Sequence, residues 1–197
     1  MGEEIKSTLE IALEKAAKIG KASKEELRRE ELVKEGRRLA AKFLSEKEFN
    51  LLKELASVNP EDKPLVVRGA VDTLVRNIVF PRDEHAFSEI EKVLKGLEQI
   101  FADFPQVKQL TAEIKKLLLL YHQQQKQLYE QFKQQFKVQM AEMEEALKQQ
   151  YGEDVKVDME MHPQFQQEWQ KLKGQLEEQY RQQLDYLKGL FFKMLPA

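Results

Sequence analysis

Apolar residues recur at helical spacing along almost the whole chain. Ile5, Leu9, Ala12, Leu13, Ala16 and Ile19 make a first stripe, which Gly20 is expected to end. Ser23 followed by Glu26 has the form of a capping box, in which hydroxyl and carboxylate satisfy the free amides of a first turn. The helix it opens carries Leu32, Gly36, Leu39, Ala40, Phe43 and Leu44 on one face. A second box, Ser45 with Glu48, predicts a short helix bearing Phe49, Leu52 and Leu55. Asn59-Pro60-Glu61-Asp62 reads as a helix start: a cap, an early proline, then acids at the positive end of the dipole. The helix that follows, with Leu65, Val67, Val71, Leu74, Val75, Ile78 and Val79, is the most apolar of the chain and the expected centre of an N-terminal core. Phe80-Pro81 stops it and Asp83 caps the next, whose face from Ala86 through Ile90, Val93, Leu94, Leu97 and Phe101 ends before Pro105. Residues 60–104 thus predict an αα-hairpin.

The second half has a different texture. Between Gln106 and Tyr151 there is neither Pro nor Gly. Leu110, Ile114, Leu117 and Tyr121, then Leu128, Phe132, Phe136, Met140, Met143 and Leu147, mark one thin seam. A single helix of this length is on the order of 70 Å long at about 1.5 Å per residue. Pro163 opens a last helix with Phe165, Trp169, Leu172, Leu176, Tyr180, Leu184, Leu187 and Phe191 on its seam. Between the two, over 153–162, Val155, Val157, Met159 and Met161 alternate with Lys156, Asp158, Glu160 and His162, a strand-like period of two. A turn centred near Val157 would set Trp169 opposite Glu145, Gln131 opposite Gln183 and Gln135 opposite Gln179.

Composition sharpens the division. All 21 glutamines lie within Gln99–Gln183. Gln is a good helix former without charge, so it keeps long helices soluble, and paired in a seam it can fix register. The 32 basic and 34 acidic residues nearly cancel, and neither half is biased. A general nucleic-acid binder carries a basic excess or stripe, so no nucleic-acid partner is expected. Arg28, Arg29, Arg37 and Arg38 alternate with Glu30, Glu31 and Glu35, which reads as an ion-paired helix face. The chain has no cysteine, which excludes disulfides and thiolate chemistry. The opening lacks the basic and apolar regions of a secretory signal, and the longest apolar run, Leu117–Tyr121, is far short of the ~18 residues that span a bilayer. A cytoplasmic protein with no membrane span is expected.

Candidate chemistry is sparse. There is no Gly-rich phosphate loop and no HExxH helix, so no catalytic or cofactor-binding residue is assigned. His85 and His122 are expected at the surface or at a helix cap. If 153–162 is extended, Asp158, Glu160 and His162 project on one side and form a candidate hard-cation site. Val155, Val157, Met159, Met161, Phe165 and Trp169 are the candidate partner-binding residues, because they would crowd apolar and pliable side chains at an exposed tip.

The opening MGEEIKSTLEIALEKA and the charged EELRREELVKEGRRLAAKFL resemble a group of small uncharacterised bacterial helical proteins that begin with a GEIKSTLE-like phrase. The resemblance covers about the first 45 residues and implies a bacterial, cytosolic origin without an assigned activity. In outline the hairpin also resembles stalk subunits of rotary ATPases and coiled-coil chaperones, a likeness of shape. The expectation is therefore an all-α protein. Residues 1–104 form an N-terminal helical bundle of about five helices, and 105–197 a long antiparallel helical hairpin, coiled-coil-like. The leading function is a non-enzymatic protein–protein interaction or scaffold role, with homodimerisation through the hairpin. The alternative is a chaperone or adaptor holding client chains at the Met/aromatic-rich tip; an enzyme of unknown reaction comes third.

Overall fold

The computed structural model describes residues 8–151 and 159–196, with side chains for 24–141, 145 and 159–196. Within these the protein is all-α: α1 (Thr8–Ser45), α2 (Leu51–Ser57), α3 (Lys63–Arg76), α4 (Glu84–Ile100), α5 (Val107–Tyr151), a 3₁₀ turn (Met159–Met161) and α6 (Pro163–Lys193). No helix among the described residues is long and apolar enough to cross a membrane. The chain divides into two compact units. One holds residues 1–77, 92–101 and 194–197, the other 78–91 and 102–193.

Four helices, not about five, precede Pro105, because the first two predicted segments are one helix. Gly20 does not end it and Ser23 does not begin another; both lie inside α1. A lone glycine costs a helix only about 1 kcal/mol relative to Ala, and the residues on either side of it include Ala17, Lys18, Lys21 and Ala22, all strong helix formers. Ser45 is not the cap of α2 either. Its hydroxyl donates back to the Lys42 carbonyl at 3.3 Å, and the Asn50 side chain caps α2 by accepting from the Lys53 amide at 3.0 Å. The expected start of α3 is close: Asn59 accepts from the Glu61 amide at 3.2 Å in the turn before it, and Pro64 lies in the first turn.

In the first unit α1 crosses α3 with almost no side chain between the backbones. A Cβ on Gly36 would stand 1.8 Å from the Val66 carbonyl oxygen, and one on Gly69 2.0 Å from that of Val33. Around this crossing Ala40, Phe43, Val66, Ala70, Val71, Leu74 and Val75 are buried, so α3 is indeed central to this core. Two ion pairs flank it, Arg28 to Asp62 at 3.0 Å and Arg37 to Asp72 at 3.1 Å. Arg28 and Arg37 therefore reach from α1 to the start and the middle of α3 rather than pairing along their own helix. The Lys92 ammonium donates to the Leu44 and Glu46 carbonyls, both at 3.0 Å, placing a cation at the negative end of α1.

The second unit is built on α5 and α6, antiparallel. Tyr121 packs against Tyr180, Tyr129 against Trp169, and Phe136 against Phe165. The segment 78–91 covers another face of the same stretch of α5: Phe80 packs tilted against Tyr121, ring centres 4.4 Å apart, and Phe87 meets His122 edge-on at 5.3 Å. Lys188 of α6 donates to the Ile78 carbonyl at 2.9 Å, and burial lowers its pKa. Asp83, as expected, caps the first turn of α4, accepting from the Ala86 amide at 2.8 Å.

The register of the α5–α6 pair departs from the expected one. Trp169 lies against Tyr129 and Phe132, not Glu145, about fourteen positions earlier on α5 and so roughly 21 Å along its axis. Leu117 shares a groove with Gln183, and Leu128 one with Leu172 and Gln175. Gln131 thus does not face Gln183, nor Gln135 Gln179, and all four glutamines are exposed rather than stacked within the seam. The pairing is centred near Gln149–Gln150. The reason is burial: this register closes Phe132, Phe136, Met140 and Phe165 into one cluster, and α5 runs past the start of α6 to achieve it.

Candidate functional site

The aromatic cluster of the second unit brings together Phe165, Trp169 and Met159 of the candidate residues, with His162 against Phe136. Phe132, Phe136, Met140 and Phe165 are buried there, with Tyr129, Met159, Trp169 and Leu172 packed against them half-buried. Phe132 and Phe165 are 4.8 Å apart between ring centres, and Tyr129 meets Trp169 at 4.9 Å. Such offset and edge-on pairs add about 0.5–1.5 kcal/mol each beyond burial. Phe165 is therefore a packing residue with no free surface, while Trp169 keeps part of its indole in solvent.

The 3₁₀ turn leads into α6. Met159–Met161 is helical, so the expected extended run does not include these residues; Val155, Val157 and Asp158 lie outside the described residues. Met161 is the most exposed large apolar side chain described, at 76%. Glu160 forms an ion pair and hydrogen bond with Lys133, which lowers its pKa and raises that of the lysine. The His162 Nδ1 accepts from the Gln164 amide at 3.3 Å, and its ring packs on Phe136. Of the three candidate metal ligands, Glu160 and His162 thus have protein partners. No group of three or more His, Cys, Asp or Glu among the described residues could hold a metal ion.

A cleft of about 530 Å³ lies on the same unit. Arg82 from the loop before α4, His122, Lys126 and Tyr129 from α5, and Trp169 and Lys173 from α6 line it, with Glu130 the one acidic residue. His122 is the surprise. It was expected at the surface, whereas it is 9% exposed and both its ring nitrogens are shielded and without a hydrogen-bond partner. The correction has a simple cause: segment 78–91 folds onto α5 and sets Phe87 against the ring, a contact that periodicity along α5 does not foreshadow. His85 behaves as expected, exposed beside Glu89.

A family model described as a family of unknown function (DUF6657) matches residues 52–193, well over half of the chain. The protein belongs to the DUF6657 family. The matched span runs from α2 to the end of α6 and includes every residue of the aromatic cluster and the cleft; the opening GEEIKSTLE phrase lies before it. Comparison with curated proteins finds no match, and neither does comparison with solved structures.

The sequence puts Phe165 and Trp169 of this DUF6657 chain on the α6 seam, but their companions Tyr129 and Phe132 depend on the register and replace the Glu145 expected opposite Trp169. Arg82, His122, Lys126 and Lys173 carried no linear motif. They are distributed over three elements, and only packing converges them.

Proposed function

We propose that this protein acts by binding another protein through its α5–α6 hairpin, without catalysing a reaction, and that Met161 and Val138 form part of the contact. The observation that carries this reading is apolar exposure where the hairpin's own core is already filled. Met161 is 76% and Val138 61% exposed, while Phe136, Met140 and Phe165 beside them are closed off. The register sets residue 161 and residue 138 at the same level of the hairpin. An exposed, pliable methionine on a hairpin whose own core is filled is well suited to seating a partner side chain.

The test is site-specific photo-crosslinking in the native lysate from positions Met161 and Val138, with Gln170 as a control position. The expected result is one reproducible protein adduct at both sites, abolished by Met161→Glu. Adducts that are the same from Gln170, or that survive Met161→Glu, would overturn the reading. An adduct between two copies of the chain would identify the partner as a homodimer. The chaperone or adaptor alternative predicts many adducts and suppression of the aggregation of a model client.

A further inference from the structure

Independently of any protein partner, we propose that the cleft beside His122 binds a small aromatic anion: a planar ring carrying a phosphate or carboxylate group.

Charge gives the first argument. Arg82, Lys126 and Lys173 come from three different elements and converge on one cleft, against a single lining carboxylate, Glu130. Their existing partners are weak. Lys126 is 3.9 Å from Glu84 and Lys173 is 3.8 Å from Glu177, both in solvent-exposed or partly exposed settings, where an ion pair adds little and exchanges readily. Arg82 has no carboxylate within 4.0 Å among the described residues. Its planar fork can grip two oxygens of a phosphate or carboxylate at once.

The floor gives the second. His122 is nine-tenths buried, and neither ring nitrogen has a hydrogen-bond partner. Buried polar groups are ordinarily paired, and an exception calls for an explanation. An imidazole carries at least one N–H, and in the tautomer that turns it toward the cleft an anionic oxygen can accept from it. Phe87 packs edge-on to the ring, and His122 also lines the cleft, which is where a ligand can supply the missing partner.

The walls and volume choose the ligand class. Tyr129 and Trp169 meet at 4.9 Å and present aromatic surface to the cleft. A volume of about 530 Å³ is in the range of small-molecule sites and far larger than inorganic phosphate needs. Aromatic walls, a cationic rim and a buried donor together select a ring with an attached anionic group.

The chain's single tryptophan is Trp169, so one indole N–H resonance reports on the cleft. The full chain would be titrated with adenosine 5′-monophosphate and with 1-naphthoate, and in parallel with adenosine, 1-naphthylmethanol and inorganic phosphate. Saturable displacement of that resonance by at least one of the two aromatic anions is expected, with affinity at least tenfold above its neutral counterpart and above inorganic phosphate. Arg82→Ala, Lys126→Ala and Lys173→Ala should each weaken binding threefold or more. His122→Phe, which keeps a ring against Phe87, should weaken it at least tenfold while the far-ultraviolet spectrum and cooperative melting are retained. No displacement by either anion at millimolar concentration, equal affinity for the neutral compounds or for phosphate, or unchanged binding in the well-folded variants would overturn the proposal.

Discussion

Gly36 and Gly69 form a reciprocal pair at the α1–α3 crossing: a methyl on either would strike the carbonyl of the residue three before the other, Val66 and Val33. Backbone, unlike a side chain, cannot turn aside. Gly36→Ala and Gly69→Ala should each destabilise the protein by ~1–3 kcal/mol or more, the cost of forcing a packed core apart. Urea denaturation provides the measurement. Gly174→Ala and Gly189→Ala are the controls: nothing lies within 4 Å of either position, so both should be neutral or stabilising by up to about 1 kcal/mol.

Tyr121 predicts a limit on the alkaline side. Its ring is fully buried, its hydroxyl donates to Glu177 at 3.3 Å, and burial followed by the Glu177 charge raises its pKa far above the ordinary 10.0. In the unfolded chain the phenol ionises near pH 10; in the folded chain it stays neutral. Stability from this group is therefore full below that pH and is lost as pH rises above it. Tyr121→Phe should flatten the fall in melting temperature between pH 9 and 11, at a cost of about 1 kcal/mol at pH 7 for the lost hydrogen bond.

The Lys133–Glu160 pair predicts an acid-sensitive start to α6. The Glu160 pKa is lowered by the Lys133 hydrogen bond and charge, so the contribution is present above the ordinary carboxylate range and disappears as pH falls through the lowered value. The protection factor of the His162 amide, whose N–H donates to the Met159 carbonyl at 3.1 Å, should fall at acidic pH in the parent chain once rates are divided by the intrinsic rate at each pH. In Glu160→Gln the protection factor of the same amide should already be lower at neutral pH and should no longer vary with pH.

His122→Leu should raise the melting temperature of the ligand-free protein. The substitution removes two buried nitrogens without partners, whose desolvation costs about 1–3 kcal/mol. Differential scanning calorimetry of parent and variant decides this, and a fall in melting temperature would mean that the imidazole has a stabilising partner.

The register is open to a direct check because the chain has no native cysteine. Cysteines placed at Leu128 and Leu172 should be joined within one chain by a short bismaleimide, whereas cysteines at Gln131 and Gln183 should not. A product of twice the chain mass would instead mean that the hairpin is exchanged between copies.

What the sequence determined by itself is the helical class, the span of α5 and α6 to within a residue or two, the Asp83 cap and the apolar centre of α3. These rest on local chemistry: periodicity, capping side chains and proline, each acting within a few residues. Tertiary structure decided the rest. Gly20 looked like a stop and lies within a helix, because one weak residue among strong helix formers cannot break it. Gly36 was visible on an apolar face, yet only the approach of Gly69 gives its small size a purpose. Trp169 was known to sit on a seam, but a seam of period 3.6 can slide by whole turns, and burial of Phe132, Phe136 and Phe165 chose among the registers. The cleft was least legible of all. Arg82, His122, Lys126 and Lys173 are ordinary helix and loop residues until three elements pack together and bring their charges to one place.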